Sequence, residues 1–153
     1  MALLNIIKEG DPILRKTSRT IEEITPRILT LLDDMKDTMH AANGCGLAAV
    51  QVGVLRRAVV IEVEEGKIYE MINPRIVFRA GHQEEQEGCL SVPDKWGITD
   101  RPARVTVRYL NREGKECDLR GEGLLARAIC HELDHLDGKL FTDVTIRYIT
   151  EED

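Results

Sequence analysis

The stretch Cys130-His131-Glu132-Leu133-Asp134-His135-Leu136-Asp137-Gly138 decides how the rest of the chain is read. Inside it lies H-E-x-x-H. On a helix, residues i and i+4 share one face about one turn apart, so His131 and His135 can point at a single metal ion. Glu132 is rotated by roughly 100°. That keeps it out of the donor set and close enough to take a proton from a metal-bound water. Gly138 suits a left-handed helix stop. The pentapeptide can arise by chance on a solvated helix, but Leu124, Leu125, Ala128, Ile129, Leu133 and Leu136 make this segment apolar. An apolar helix belongs in a core. His131, Glu132 and His135 would then be buried polar groups in need of partners, and a metal supplies them.

Outward from this helix, the bulk properties bound the answer. The chain has 153 residues, 42% hydrophobic and 31% charged, with a net charge of −6. That suffices for one domain with a real core. There is no basic run and there are few aromatics, which argues against a cationic or base-stacking nucleic-acid surface. The first residues lack a basic n-region, their apolar run is too short for a signal peptide, and no apolar stretch is long enough to span a bilayer. A cytoplasmic location is expected. The four cysteines, at 45, 89, 117 and 130, form no C-x-x-C pair. In a reducing compartment they are thiols or metal ligands rather than a disulfide framework.

Residues 1–20 read as an irregular arm with a turn at Gly10-Asp11-Pro12 and with Ile13 and Leu14 packing down. Thr25-Pro26 is a helix start, with Thr as cap and Pro at the first helical position. Ile28, Leu31, Leu32, Met35 and Met39 follow at helical spacing, and Asn43-Gly44 is the stop. His40, near that end, reads as a solvated residue or a helix-dipole partner. Gly44-Cys45-Gly46-Leu47-Ala48-Ala49-Val50-Gln51 allows close backbone approach and leaves Gln51 as an amide in apolar surroundings that needs a partner. Residues 58–63, 68–72, 75–78, 104–110 and 116–119 read as strands, with Asn73-Pro74 dividing the second from the third. Short turns between strands imply antiparallel pairing. The stretch 84–93 breaks the rhythm; its acidic run reads as solvated. Residues 121–138 read as the second helix. Val144, Ile146 and Tyr148 suggest a short strand, and Glu151-Glu152-Asp153 a solvated end. The expected fold is α+β: antiparallel β-sheets packed around a central helix carrying H-E-x-x-H, with one further N-terminal helix, in a single domain over 1–153.

Two His need at least one more protein ligand. In a zinc endopeptidase it would follow Gly138, but the residue at that spacing is Phe141, which cannot bind. An upstream thiolate is the better choice. Cys130 would point to another helix face and Cys117 sits in a surface strand, which leaves Cys45 and Cys89, each beside glycines.

Gly44 to Gln51, Glu87-Gly88-Cys89-Leu90-Ser91 and His131 to Gly138, in that order and spacing, resemble the motifs G-x-G-L-A-A-x-Q, E-G-C-L-S and H-E-x-D-H-L-x-G of the peptide deformylases, and the likeness runs over almost the whole chain. The sequence departs from the family's habit at Val50 (often Pro), Cys45 (often a larger aliphatic) and Cys130 (usually Gln). The resemblance implies Cys89, His131 and His135 as metal ligands and Glu132 as general acid and base. It implies Gln51 and the Leu90 N–H as donors to the developing oxyanion, and Gly46 as a backbone contact for bound peptide. Cys45, Leu124 and Ala128 are candidate walls of a methionine pocket, with the stem of Arg127 beside them. Glu87, Asp134 and Arg101 are candidates to orient the ligands. Trp96 lies close by without an assigned role. The implied reaction is hydrolytic removal of the formyl group from N-terminal formyl-methionine of new proteins, using metal-activated water. The implied cofactor is one divalent ion, natively Fe²⁺, with Zn²⁺, Ni²⁺ or Co²⁺ as substitutes. The implied partners are N-formyl-methionyl nascent polypeptides, with a transient ribosome contact left open. An H-E-x-x-H zinc endopeptidase and a non-catalytic metal-binding module are the alternatives; the missing downstream ligand weighs against the first and the spare Glu132 against the second.

Overall fold

The structure, a computed structural model, describes residues 2–149. The tail Glu151-Glu152-Asp153, expected to be solvated, lies outside the described residues. Among these, the helices are α1 (Pro26–Ala41) and α2 (Leu124–Leu136). The strands are β1 (Gly46–Ala48), β2 (Ala58–Glu64), β3 (Lys67–Ala80), β4 (Gln83–Cys89), β5 (Val92–Arg101), β6 (Arg104–Leu110), β7 (Glu116–Glu122) and β8 (Thr145–Tyr148). They form a five-stranded sheet, β1-β2-β3-β6-β7, and a three-stranded sheet, β4-β5-β8. Every pairing within the sheets is antiparallel. The fold is α+β.

The larger sheet separates two cores. On β2, Val59 and Ile61 point to the core that holds Ile129, Leu133 and Leu136 of α2. Ala58 and Val60 point the other way, to Leu32, Met35 and Met39 of α1. A strand buried on both faces needs an unbroken apolar run, and residues 58–61 supply it. Thr25 caps α1, its Oγ1 accepting from the Ile28 N–H at 3.3 Å. α2 packs on β1, β2 and β7 and touches β5, so it sits between the two sheets.

Three expectations change. Residues 68–72 and 75–78 belong to one strand, β3, whose register with β6 slips between Ile72 and Arg75. Pro74 has no N–H to give the ladder. Asn73 adopts φ +52°, and its side-chain amide bonds both the N–H and the C=O of Ile21 at 2.8 Å. The second helix starts at Leu124 rather than 121, because Gly121 and Glu122 still pair with Val105 and Arg104 of β6. The chain then turns at Gly123, with φ +58°. Residues 84–93 are not a break in the sheet; they are most of β4 and the start of β5. Glu84, Glu85 and Gln86 face solvent, but Glu87 is buried. His40 is half exposed and pairs with Glu62 of β2.

Candidate active site

α2 ends on its stop as expected: Gly138 has φ +75°. A Cβ there would lie 2.5 Å from the Arg15 carbonyl oxygen, so only glycine fits. Over the last two turns of the helix, His131 and His135 bring their Nε2 atoms to 3.3 Å. Cys89 arrives from β4, where it pairs with Val92 across the Leu90-Ser91 turn. Its Sγ lies 3.4 Å from His135 Nε2. The three donor atoms all fall within 4.8 Å of one another. Tetrahedral zinc with bonds of about 2.1 Å to nitrogen and about 2.3 Å to sulfur would set neighbouring donors about 3.4–3.6 Å apart. The donor set therefore fits a divalent cation in spacing and chemistry. Cys45, the other upstream thiol, lines the cavity but is not in the set.

Glu132 is buried beside these donors. Its Oε2 is 4.0 Å from His131 Nε2, and its Oε1 has no partner. Burial pushes its carboxyl up to about 7, against the pull of His131. A carboxyl near neutrality can both take and return a proton at physiological pH. Gly46 makes room for it: a Cβ there would stand 2.5 Å from Glu132 Oε2. Burial holds the His135 imidazole well below its ordinary value, helped by the neighbouring His131.

Gln51 sits in a 3-10 turn, Ala49–Val52, and is 1% exposed. Its Oε1 accepts from the Ala48 N–H at 2.9 Å, and its Nε2 donates to Ser91 Oγ at 3.0 Å and lies 3.7 Å from Cys89 Sγ. Ser91 in turn donates its N–H to Cys89 Sγ at 3.4 Å. The amide that needed a partner is thus tied to the cysteine turn.

Glu87 accepts from Arg101 through both oxygens, Nε to Oε1 at 3.2 Å and Nη2 to Oε2 at 2.8 Å. Its Oε2 also meets His131 Nδ1 at 2.6 Å, which turns Nε2 of that ring toward the other donors. Burial works to raise the Glu87 carboxyl, but the bonds to His131 and Arg101 outweigh it and hold the group at about 2. Asp134 connects to this cluster through Arg101 Nη1, at 2.6 Å. The acidic run read as solvated therefore ends in a buried anion. Phe141 stacks on the His131 ring at 6.2 Å between centroids, so an apolar ring fills the place where an endopeptidase would carry its third ligand.

The donors open on a cavity of about 510 Å³. Cys45, Gly46, Gln51, Leu90, Leu124 and Ala128 line it, as do Glu87, Cys89, His131 and Glu132. Ile6 and Lys8 also line it and were not expected there; Trp96, which the sequence put close by without a role, lines it too. Lys8 Nζ donates to the Leu90 carbonyl at 3.3 Å. The Trp96 ring lies so close over Gly88 that a Cβ there would be 2.7 Å from it. Nothing in the sequence ties the first residues to a loop more than eighty positions on. Trp96 could have been placed only by recognising β5.

A half-buried cysteine sulfur and two buried imidazoles around one point, with an unpartnered carboxyl next to them, are the donor pattern of a mononuclear metal hydrolase. The family model described as polypeptide deformylase matches residues 3–149. The peptide deformylase of Acetivibrio thermocellus is 57% identical over 153 residues, covering 100% of this chain and 89% of that protein. The Caldicellulosiruptor bescii enzyme of the same name is 56% identical, over 100% of this chain and 92% of its own. Among solved structures, the Legionella pneumophila peptide deformylase superposes with a TM-score of 0.91 at 40% identity, covering 99% of this chain and 88% of that one. One from Synechococcus elongatus in complex with actinonin gives 0.90 at 38%, over 93% and 78%. The chain belongs to the polypeptide deformylase family, metal-dependent hydrolases that remove the formyl group from N-terminal formyl-methionine. Among the described residues no helix is long and apolar enough to cross a membrane.

Proposed function

We propose that Cys89, His131 and His135 hold one divalent cation, natively Fe²⁺, and that Glu132 works as general acid and base beside it. The observation that carries this reading is the orphaned Glu132 Oε1, buried next to the three donors with no protein partner. The soft-to-borderline donor set also accepts Zn²⁺, Ni²⁺ or Co²⁺. When bound, the cation supplies Lewis acidity that makes water nucleophilic near neutral pH and polarises the formyl oxygen.

The protein's own groups do the rest. Glu132 takes the proton of the attacking water. As the formyl carbon becomes tetrahedral, its oxygen gains charge. Gln51 Nε2 gives one hydrogen to Ser91 Oγ and makes only a long 3.7 Å contact to Cys89 Sγ with the other; that second hydrogen turns to the charged oxygen, together with the Leu90 N–H. Glu132 then passes its proton to the leaving nitrogen. The C–N bond breaks, giving formate and a free amino terminus.

β1 and β4 are outer strands of their sheets, and both contribute to the cavity through Gly46 and through Gln86, Glu87 and Gly88. A peptide laid between them gains main-chain hydrogen bonds by strand addition, which tolerates most residues after the first. The methionine side chain enters between Cys45, Leu124 and Ala128, beside the Arg127 stem. The substrate is the formyl-methionyl end of nascent chains, the working compartment is the cytoplasm, and residues 1–153 act as one catalytic domain.

The test is formate release from a formyl-Met tripeptide by protein loaded anaerobically with Fe²⁺. Wild type turns over. Cys89→Ala loses metal and activity together, whereas Glu132→Ala keeps metal and loses about 100-fold or more in turnover. Absence of turnover in wild type with one metal per chain would overturn the assignment.

A further inference from the structure

Glu87 Oε1 has a second donor that no motif contains. Thr99, on β5, is fully buried, and its Oγ1 donates to Glu87 Oε1 at 2.8 Å. The Glu87 carboxylate therefore has two unlike sides. Oε1 receives Thr99 and, at a longer 3.2 Å, Arg101 Nε. Oε2 receives Arg101 Nη2 at 2.8 Å and His131 Nδ1 at 2.6 Å. Arg101 alone does not fix this arrangement. Its bond to Oε1 is the longer of the two, 3.2 Å against 2.8 Å, and its other nitrogen is drawn to Asp134 at 2.6 Å. The hydroxyl is a short donor on a stiff, β-branched side chain within a central strand. It pins Oε1, and that leaves Oε2 aimed at the imidazole.

We propose that Thr99 is a positioning residue for the metal centre: by fixing the rotation of Glu87, it fixes the orientation of His131 and so tightens the hold on the cation. This rests on Cys89, His131 and His135 being the ligands. Partners outside the donor set typically contribute about 10–100-fold to metal affinity. Thr99 acts through Glu87 rather than directly, so the lower end is expected.

The experiment uses the full chain loaded with Co²⁺. Two readouts are taken: the rate at which Co²⁺ passes to a chelator, and the visible ligand-field absorption of the bound ion. Thr99→Val, which keeps the shape and removes the hydroxyl, should release Co²⁺ about tenfold faster and shift the absorption band. Thr99→Ser, which keeps the hydroxyl, should restore both to wild-type values. Release from Thr99→Val at the wild-type rate overturns the proposal. So does release from Thr99→Ser as fast as from Thr99→Val, since that would make the lost packing the cause. Where circular dichroism shows that Thr99→Val does not fold, Thr99→Ala against Thr99→Ser makes the same comparison, and equal rates overturn it. Wild-type protein that takes up no Co²⁺ overturns the ligand set and this role with it, whereas normal uptake with an indifferent Thr99→Val removes the role alone.

Discussion

Two arginines in this molecule make almost the same bonds and do different things. Arg101 forks onto Glu87 and reaches Asp134; Arg112 forks onto Glu70 at 2.8 and 2.6 Å and reaches Asp33 at 2.6 Å. The Arg101 side chain is 6% exposed and the Arg112 side chain 33%. Arg112 clips the β6–β7 turn to β3 and to α1, and water competes for every bond it makes. Arg101 lies where water cannot replace it, and one of its carboxylates holds the His131 imidazole. Bond lengths alone would rank the two clusters as equals; burial separates them.

The comparison is sharpest where Arg101 is removed. Arg101→Ala leaves Glu87 buried with its main counter-charge gone, and urea unfolding should show a loss of about 3–5 kcal/mol. Arg101→Lys should recover little of this, since an ammonium cannot serve both Glu87 oxygens and Asp134 at once. Full recovery by lysine would mean that charge, not the planar fork, is what the site needs.

Next in size is the effect of acid. The folded Glu87 carboxyl stands at about 2 against an ordinary 4.5. Because the folded value is the lower one, its stabilisation is complete above about pH 4.5 and drains away as the pH falls toward 2. In metal-free protein, the urea midpoints of wild type and Glu87→Gln should draw together between about pH 6 and about pH 3. A constant gap over that range would show that the Glu87 carboxyl is not shifted by folding.

The smallest effect is expected at the exposed cluster. Arg112→Ala should lower stability by about 0–1 kcal/mol, and added salt should shrink the difference further. A loss as large as that of Arg101→Ala would erase the distinction between the two sites.

The same contrast explains what the sequence disclosed. α2 is legible because its apolar residues and its two histidines repeat with the helical period in one contiguous stretch. β2 is legible because it is apolar on both faces. β5 is not, because its alternation runs backwards: Gly97, Thr99 and Arg101 are buried, while Ile98 is only partly covered and Asp100 is exposed. A strand that turns polar groups inward, toward Glu87 and His131, looks like a solvated loop. Glu87 stands at the end of an acidic run that composition alone reads as solvated, and only its place in the E-G-C-L-S motif singles it out. The choice between Cys45 and Cys89 was likewise beyond spacing alone, since both stand beside glycines. Only the β4–β5 turn, which carries Cys89 to within 3.4 Å of His135, separates them.

The edge of β4 that borders the cavity has one more consequence. A strand with unpaired backbone invites any other strand, including that of a second copy. Glu84 and Glu85 are exposed on this edge. Two molecules meeting there edge to edge would set these carboxylates against each other. Their charge opposes self-association through this edge, whereas a single peptide strand would bring no matching row of negative charge.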